Sequence, residues 1–417
     1  YSIYSSPDFA LSMVRVLPAA VLGMLLINPL LCYNNGFVMS VVSALLMYLL
    51  YAPIEDKTKP FFDRLHIGKS LRHALIVWVT ITVGTLPLAA FYFNGISVYN
   101  IIFTLLAVPC IMMILLLSPL LLAMLALFGA APLIGDTVGV VLYFIKSMPY
   151  AVQKLPGYYV MLKTPSILTI IDFYLALWIF ARWLKNRHDT DFTKILACAL
   201  AGFVVCGIMT YDFGALNIYF VNVGQGDGAV LHTARGETVL IDGGGAPVYK
   251  TYNIGEKIYV PYLISRGFTD IDVAVVSHYH KDHVEGIIAA AENLKINTLV
   301  MPDSEKGGEY RTKLEEIARK KKIKIEYLRD NDEIRFKSGM TMKLIAPSEG
   351  MLKSKDLNTT SIVLHVKYGE FDALFTGDSA DNRVSEYPKN AELLKVPHHG
   401  SKTASSAEYV ALIRGLR

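Results

Sequence analysis

The sequence predicts a polytopic α-helical membrane domain followed by an α/β domain, built as a two-sheet sandwich with helices outside. The 417 residues have a mean hydropathy of +0.39 and are 53% hydrophobic, which is too apolar for an ordinary soluble enzyme. Residues 1–210 carry 13 Lys+Arg and 8 Asp+Glu, whereas residues 211–417 carry 27 and 28. From about residue 214 onward, short β-branched runs separated by Gly-rich turns replace the long apolar segments.

The first domain, 1–210, contains about seven segments that are long and apolar enough to cross a hydrocarbon core about 30 Å thick. Lys and Arg are retained on the cytoplasmic side, and basic residues concentrate in two loops, 54–73 and 182–194. With both loops inside, seven spans place the chain from residue 211 outside the cytoplasm. The segment 132–163 is expected to form amphipathic helices at the outer membrane interface. The predicted spans are 10–33, 37–53, 74–94, 99–116, 117–131, 165–183 and 195–210.

One acidic side chain, Asp172, falls inside a predicted span. A carboxylate there either faces a bundle interior or cavity, or lies near the membrane interface. The chain begins with Tyr1, and its first apolar segment lacks the cationic start and cleavage site of a signal peptide. We therefore expect the sequence to be a fragment, cut at both ends.

The second domain, 211–417, alternates short strands with helices, and its two strand-rich blocks predict the two packed sheets. The turn 224–228 is predicted to be a loop, because it lacks the Lys-Ser/Thr of a phosphate-binding loop and no helix follows it. Helices are expected at 284–291 and 309–320. Strands are expected at 216–223, 229–233, 238–241, 271–276, 298–300, 323–327, 341–345, 361–367, 371–376 and 393–396.

A dense group of metal-ligand residues follows the predicted strand 271–276: His278, His280, Asp282 and His283. Three imidazoles and a carboxylate within six residues are not required by packing, and neutral imidazole is the commonest zinc ligand. All four cysteines lie in the first domain, so a metal in the second must use His and carboxylate ligands. We predict that His278 and His280 bind one ion and that Asp282 and His283 reach a second.

Three further segments supply residues to this predicted site. Asp378 follows a strand and is expected to bridge the two ions, although a turn role is the alternative. His398 and His399 follow another strand, and the sequence does not decide which of them is the ligand. Asp242 closes a strand before three glycines and is expected to orient a ligand imidazole by accepting its other N–H, with a plain Asx-turn as the alternative.

In their order along the chain, these motifs resemble the metallo-β-lactamase superfamily over about 215–417. They read Asp242-Gly, His278-x-His280-x-Asp282-His283, Thr-Gly-Asp378 and Pro-His398-His399-Gly-Ser. Residues 223–227 and 395–401, preceded by a polytopic membrane domain, are more specifically similar to the ComEC family of competence DNA-uptake channels. The segment 86–97 also resembles that family's membrane domain.

The resemblance implies an αββα metallo-β-lactamase fold joined to a pore in the bacterial inner membrane. The pore would take up single-stranded DNA with the help of other competence-uptake proteins and in contact with membrane lipid. The αββα domain would be a metal-dependent phosphodiesterase or nuclease acting on the strand left outside. Asp282, His283 and Asp378 would then be catalytic.

The sequence departs from the superfamily pattern where its third histidine is expected. Polar residues stand there, with Asn358 and Ser361 predicted to lie beside the metal ligands. A first ion with fewer protein ligands favours an exchangeable pair of divalent ions, zinc or manganese. The chain also ends before the superfamily's final strands, so the second domain is expected to be truncated at its C-terminus.

Two divalent ions close together stabilise a displacement at phosphorus, which suits a phosphodiester substrate. Ser401, Lys402 and Thr403 are predicted phosphate contacts, with a solvated loop as the alternative. Two other functions share the same ligands: a membrane-anchored metallo-phosphoesterase acting on envelope polymers or lipids, and a channel with a non-catalytic docking domain. The sequence leaves open whether the chain forms a homo-oligomer.

Overall fold

The computed structural model describes residues 7–99, 110–115, 118–119, 123, 131–185, 193–197, 200–202, 215–246, 252–379, 391–402 and 404. The chain divides into two compact units, Tyr1–Thr210 and Tyr211–Arg417. Within the described residues, the first unit is mainly helical and the second is built around two sheets.

Three described helices of the first unit are long and apolar enough to cross a membrane: Asn35–Arg64, Lys69–Phe93 and Ile167–Leu184. They coincide with the predicted spans 37–53, 74–94 and 165–183. The predicted spans 99–116, 117–131 and 195–210 lie largely outside the described residues. The helices in chain order are α1 (Pro7–Ile27), α2 (Asn35–Arg64), α3 (Lys69–Phe93), α4 (Ala131–Val152) and α5 (Ile167–Lys185).

The prediction of a basic loop at 54–73 is wrong for most of its length, because α2 continues to Arg64 and α3 begins at Lys69. Pro53 and Pro60 lie inside α2. Each proline removes one backbone hydrogen bond, but the polar residues between them are compatible with a helix. The Lys and Arg side chains of this segment therefore extend from the last turns of α2 and the first turn of α3.

The segment 132–163 is also not purely helical. After α4, the strand β2 (Tyr159–Met161) pairs antiparallel with β1 (Gly95–Ser97). Asn94 ends α3 in a left-handed conformation, which turns the chain into β1. The backbones approach so closely that a Cβ on Gly95 would lie 2.5 Å from the Val160 carbonyl oxygen.

Gly84 allows α2 and α3 to approach closely. A Cβ on Gly84 of α3 would lie 2.4 Å from Leu46 Cδ1 of α2, and the Tyr174 hydroxyl of α5 donates to the Gly84 carbonyl at 3.0 Å. Asp172 of α5 has a buried Oδ2 with no hydrogen-bond partner among the described residues. Of the two alternatives for Asp172, the structure favours the helix-bundle interior.

The second unit contains a six-stranded sheet in the order β3-β4-β5-β6-β7-β8. Its first three strands are antiparallel, and β5 to β8 run parallel. Both faces are buried, because alternate residues such as Leu240 and Ile241 belong to different apolar clusters. The strands are β3 (Asn217–Phe220), β4 (Ala229–His232), β5 (Thr238–Ile241), β6 (Asp270–Val275), β7 (Lys295–Val300) and β8 (Lys324–Glu326).

A five-stranded sheet packs against this one in the order β13-β12-β11-β10-β9. Side chains such as Val275 and Phe375 fill the space between the two sheets. On the other face of the six-stranded sheet, α6 (Val260–Arg266), α7 (Lys281–Asn293) and α8 (Gly308–Lys321) bury their apolar sides. The strands are β9 (Glu333–Arg335), β10 (Thr341–Ala346), β11 (Val363–Tyr368), β12 (Phe371–Phe375) and β13 (Leu393–Lys395).

Candidate metal centre

The predicted ligand residues lie on turns at the carboxyl ends of four strands. Asp242 follows β5, the turn 277–283 follows β6, Asp378 follows β12, and His398 with His399 follows β13. Because β5 runs parallel to β6 and β12 runs parallel to β13, each pair of turns leaves its sheet at the same edge. The two-sheet packing brings both edges together at one site.

Asp242 is a buried residue that holds the His-bearing turn in place. Its Oδ1 accepts the Ser277 backbone N–H at 2.7 Å, and its Oδ2 accepts the Ser277 hydroxyl at 2.7 Å. The same Oδ2 lies 2.9 Å from His283 Nδ1. A carboxylate bound to one ring nitrogen leaves the other, Nε2, to face a metal ion.

Glycines allow the backbone of α7 to pack directly against the loop that follows β5. A Cβ on Gly286 would lie 1.9 Å from the Gly243 carbonyl oxygen, and a Cβ on Gly245 would lie 1.9 Å from the Lys281 carbonyl oxygen. No side chain fits in either place. The first turn of α7, which carries Asp282 and His283, therefore approaches Asp242 at backbone distance.

A first group of ligand atoms consists of His278, His280 and Asp378, whose atoms lie within 4.8 Å of one another. His278 Nε2 and His280 Nδ1 are 3.0 Å apart, and Asp378 Oδ2 lies 3.9 Å from His278 Nε2. His278 and Asp378 are buried, whereas His280 is half-buried. This group contains the residues predicted for the first ion.

A second group consists of Asp227, His283, Asp378 and His399. Asp378 belongs to both groups, as expected of a bridging carboxylate. His283 Nε2 and Asp378 Oδ1 lie 3.2 Å apart and are buried, yet neither makes a hydrogen bond within the described residues. Buried polar atoms normally have partners, so these two atoms fit a metal site.

Asp282 and His398 lie at the margin of these groups. Asp282 Oδ2 is 3.5 Å from His399 Nε2, and His398 Nε2 is 3.9 Å from Asp378 Oδ2. His399 belongs to the second group and His398 to neither, so the geometry favours His399 as the ligand. Both histidines have left-handed backbone, with φ of 47° and 51°.

The surroundings of the imidazoles shift their pKa values in opposite directions. Burial alone lowers the pKa of His283, but the carboxylates of Asp242 and Asp378 outweigh it and raise the pKa to about 10. Hydrogen bonds to Asp227 and Asp282 raise the pKa of His399 to about 9. His278 lacks this balance, so burial and the neighbouring imidazoles hold its pKa well below the usual range.

Asp282 remains ionised because His399 and His283 lower its pKa to about 2, although burial opposes them. The site thus pairs ionised carboxylates with two protonated imidazoles. Bound cations would replace those protons, since imidazole binds a metal in its neutral form.

Two family models cover most of the chain. The model described as "Competence protein" matches residues 3–187, and the model described as "Metallo-beta-lactamase superfamily" matches residues 221–415. The chain joins a Competence domain to a metallo-β-lactamase domain. The predicted fold class is therefore confirmed, and the Competence domain with its apolar helices marks a membrane protein.

Two curated relatives match both domains. The chain is 24% identical to ComE operon protein 3 of Bacillus subtilis over 93% of its own length, and 24% identical to Recombination protein 2 of Haemophilus influenzae over 94%. It spans 50% and 51% of those proteins. Among solved structures, CmlA, a diiron β-hydroxylase from Streptomyces venezuelae, matches 44% of this chain and 34% of its own, at 14% identity and a TM-score of 0.30.

Sequence reasoning missed two residues of the metallo-β-lactamase domain's site, Asp227 and Lys395. Asp227 belongs to the second ligand group, and its Oδ1 lies 3.4 Å from His399 Nδ1. Lys395 Nζ contacts Asp227 Oδ2 and donates to the Gly377 carbonyl at 2.8 Å. Burial raises the pKa of Asp227, but the hydrogen bond with His399 and the charge of Lys395 outweigh it and lower that pKa. The site therefore contains a built-in cation beside its carboxylates.

The residues predicted around the ligands have mixed positions. Ser361 Oγ accepts the Asp378 backbone N–H at 3.3 Å, so it supports the shared carboxylate. Asn358 has a buried Oδ1 with no hydrogen-bond partner among the described residues. Ser401 donates its backbone N–H to the His398 carbonyl, Lys402 is exposed, and Thr403 lies outside the described residues.

Proposed function

We propose that this chain takes up single-stranded DNA across the bacterial inner membrane. Its metallo-β-lactamase domain, outside the cytoplasm, hydrolyses phosphodiesters of the strand that is not transported. The observation that carries the proposal is the joining of a Competence domain to a domain whose distant His and Asp residues converge on two ligand groups sharing Asp378. DNA suits such a pair of domains because it is a phosphodiester polymer. One strand could enter the pore while the other is cleaved at the metal centre.

The candidate ligands would bind two divalent ions. His278, His280 and Asp378 would hold one divalent ion, zinc or manganese. Asp227, His283, Asp378 and His399 would hold the other, with Asp282 beside them. When bound, the two ions supply Lewis-acid stabilisation of the charge that develops on a phosphodiester.

The protein's own contribution is to fix these groups before substrate binds. Asp242 holds the tautomer and orientation of His283 through the 2.9 Å contact to Nδ1. Asp282 Oδ2, 3.5 Å from His399 Nε2, would attract that imidazole electrostatically. Ser401, Lys402 and Thr403, which follow His398 and His399 in the sequence, would contact the phosphate, and the exposure of Lys402 supports this role.

Paired substitutions at the centre test the hydrolytic part. Asp282→Ala with His283→Ala should abolish manganese- or zinc-stimulated cleavage of single-stranded DNA by the purified chain while circular dichroism stays unchanged. His365→Ala is the matched control, because this histidine pairs with Asp372 at 2.6 Å outside the ligand groups. DNA cleavage that survives the double substitution would contradict the proposal. Cleavage of lipid phosphodiesters without DNA cleavage would favour the phosphoesterase alternative.

Cysteine labelling tests the orientation. In a background without native cysteines, Lys337→Cys on the metallo-β-lactamase domain should react with a membrane-impermeant maleimide added outside intact spheroplasts. Lys59→Cys, in the basic segment predicted to face the cytoplasm, should react after the membrane is opened. Both lysines are exposed within their own units. The reverse pattern would place the hydrolase domain in the cytoplasm.

A further inference from the structure

A groove of about 610 Å³ lies on the metallo-β-lactamase domain. It is formed by the segments that follow β7, β8 and β10. Because β5 to β8 are parallel neighbours, the segments after β7 and β8 leave the sheet at the same edge as the ligand turns. The residues that matter here are Lys306, Tyr327, Arg329 and Lys353, and we call it the 306–353 groove.

Tyr279 links the groove to the metal centre. It lies between His278 and His280 in the sequence, and its side chain contacts the segment after β7. Its hydroxyl donates to the Pro302 carbonyl at 2.8 Å, and its fully buried ring packs so closely on Gly307 that a Cβ there would lie 2.6 Å from the ring. On the other side, the turn Met351–Lys353 contacts both Glu305–Gly307 and Asn358–Thr360. The groove is thus a continuation of the same edge and not a separate face.

The groove has an excess of positive charge. Lys306, Arg329 and Lys353 are exposed, and no described carboxylate forms an ion pair with their side chains. The lining also contains two acids, Glu349 and Asp303. Asp303 lies 3.3 Å from Arg311, which it shares with Glu315 at 2.8 Å. Three cations without ion pairs against two carboxylates, one of which shares Arg311, give the lining a net positive charge that favours a polyanion.

An aromatic ring completes the lining. Tyr327 is half-buried; its hydroxyl donates to Glu315 at 2.9 Å, and the guanidinium carbon of Arg311 lies 5.1 Å from its ring centroid. These contacts hold the ring in one place. Cations that track a backbone beside a fixed aromatic ring are the two features by which proteins bind single-stranded nucleic acid without reading its sequence.

We propose that the 306–353 groove binds the single-stranded nucleic acid next to the phosphodiester at the metal centre. Lys306, Arg329 and Lys353 contact its phosphates, and a base stacks on Tyr327. This inference rests on the proposed function and names how that site engages its polymer. It also accounts for recognition of a polyanion by a domain whose overall charge is nearly neutral, because the cations are local to the groove.

Binding of a labelled single-stranded oligonucleotide to the purified full chain, measured by fluorescence anisotropy in EDTA, tests the groove without hydrolysis. The triple variant K306A/R329A/K353A should bind about 100-fold more weakly at 0.1 M salt, and its log-log salt slope should fall by about 2. The control triple K320A/K337A/K343A removes the same charge from exposed lysines outside the groove and should bind like the wild type. Equal losses in both triples, or none in the groove triple, would overturn the proposal.

Tyr327 gives a second test that does not depend on charge. Tyr327→Leu should weaken binding by about fivefold or more through loss of stacking, and Tyr327→Phe should restore it because the ring remains. Equal affinities of the Leu and Phe variants would overturn the stacking role. A wild-type chain that binds through the groove but hydrolyses no DNA with metal would refute the proposed hydrolysis and leave the groove supported. If the wild-type chain hydrolyses DNA but the groove triple variant binds the oligonucleotide as tightly as the wild type, the groove proposal is refuted and the proposed hydrolysis is supported.

Discussion

Metal binding should release about two protons from this protein at pH 7. His283 and His399, with pKa values of about 10 and about 9, are almost fully protonated at that pH. Asp282, with a pKa of about 2, is already ionised, and His278 is already neutral. Because a metal binds neutral imidazole, each of the two protonated histidines must lose one proton.

The sign of the pH dependence follows directly. Raising the pH removes the protons that compete with the metal, so affinity should increase by about 100-fold per pH unit below pH 9. Between pH 9 and 10 the increase should fall to about tenfold per unit, and above pH 10 it should level off. Acidification should release the metal.

Calorimetric titration with zinc in buffers of different ionisation enthalpy measures the proton count directly. Asp242→Asn removes the carboxylate that most strongly raises the His283 pKa, so the count should fall from about two to about one. His365→Ala, outside the ligand groups, should leave it at two. A wild-type count near zero, or a count unaffected by Asp242→Asn, would refute the reasoning.

Three further predictions concern packing and charge. Gly286→Ala should lower the free energy of unfolding by about 1–3 kcal/mol in chemical denaturation, because its methyl group meets the Gly243 carbonyl, whereas Gly350→Ala, with nothing within 4 Å, should be near neutral. Lys395→Met should strengthen binding of the second divalent ion on the order of tenfold in competition with a chelator, since it removes a positive charge beside Asp227; weaker binding would contradict this. Gly84→Val should lower the unfolding temperature of the chain in detergent by collision with Leu46, and Gly139→Val, an open helical position, should not.

The sequence was informative wherever chemistry is concentrated locally. The turn 278–283 is recognisable from its residue types alone, and its position after a buried strand predicts which edge of the sheet it occupies. Asp227 could not be found this way, because 51 residues separate it from His278 and its surroundings are those of an ordinary loop. Its signal is Gly226, whose missing side chain allows the turn to lie against the Asp282 carbonyl.

Element ends and short elements were the least predictable. Hydropathy locates the apolar centre of α2 but not its end at Arg64, since a helix continues into polar residues wherever its backbone bonds allow. The strand β9, with three residues, and α6, with seven, were not predicted. Such segments have too few residues for periodicity, and tertiary packing decides their conformation.

The backbone at His398 and His399 has a consequence for how the domain tolerates change. Two successive left-handed residues other than glycine cost roughly 1–2 kcal/mol each, so this corner would fold more readily with glycines. Side chains at these positions therefore serve something other than stability. Random mutagenesis with selection for thermal stability should enrich glycine at positions 398 and 399. The selected proteins would be more stable but would lack the imidazoles of these two histidines.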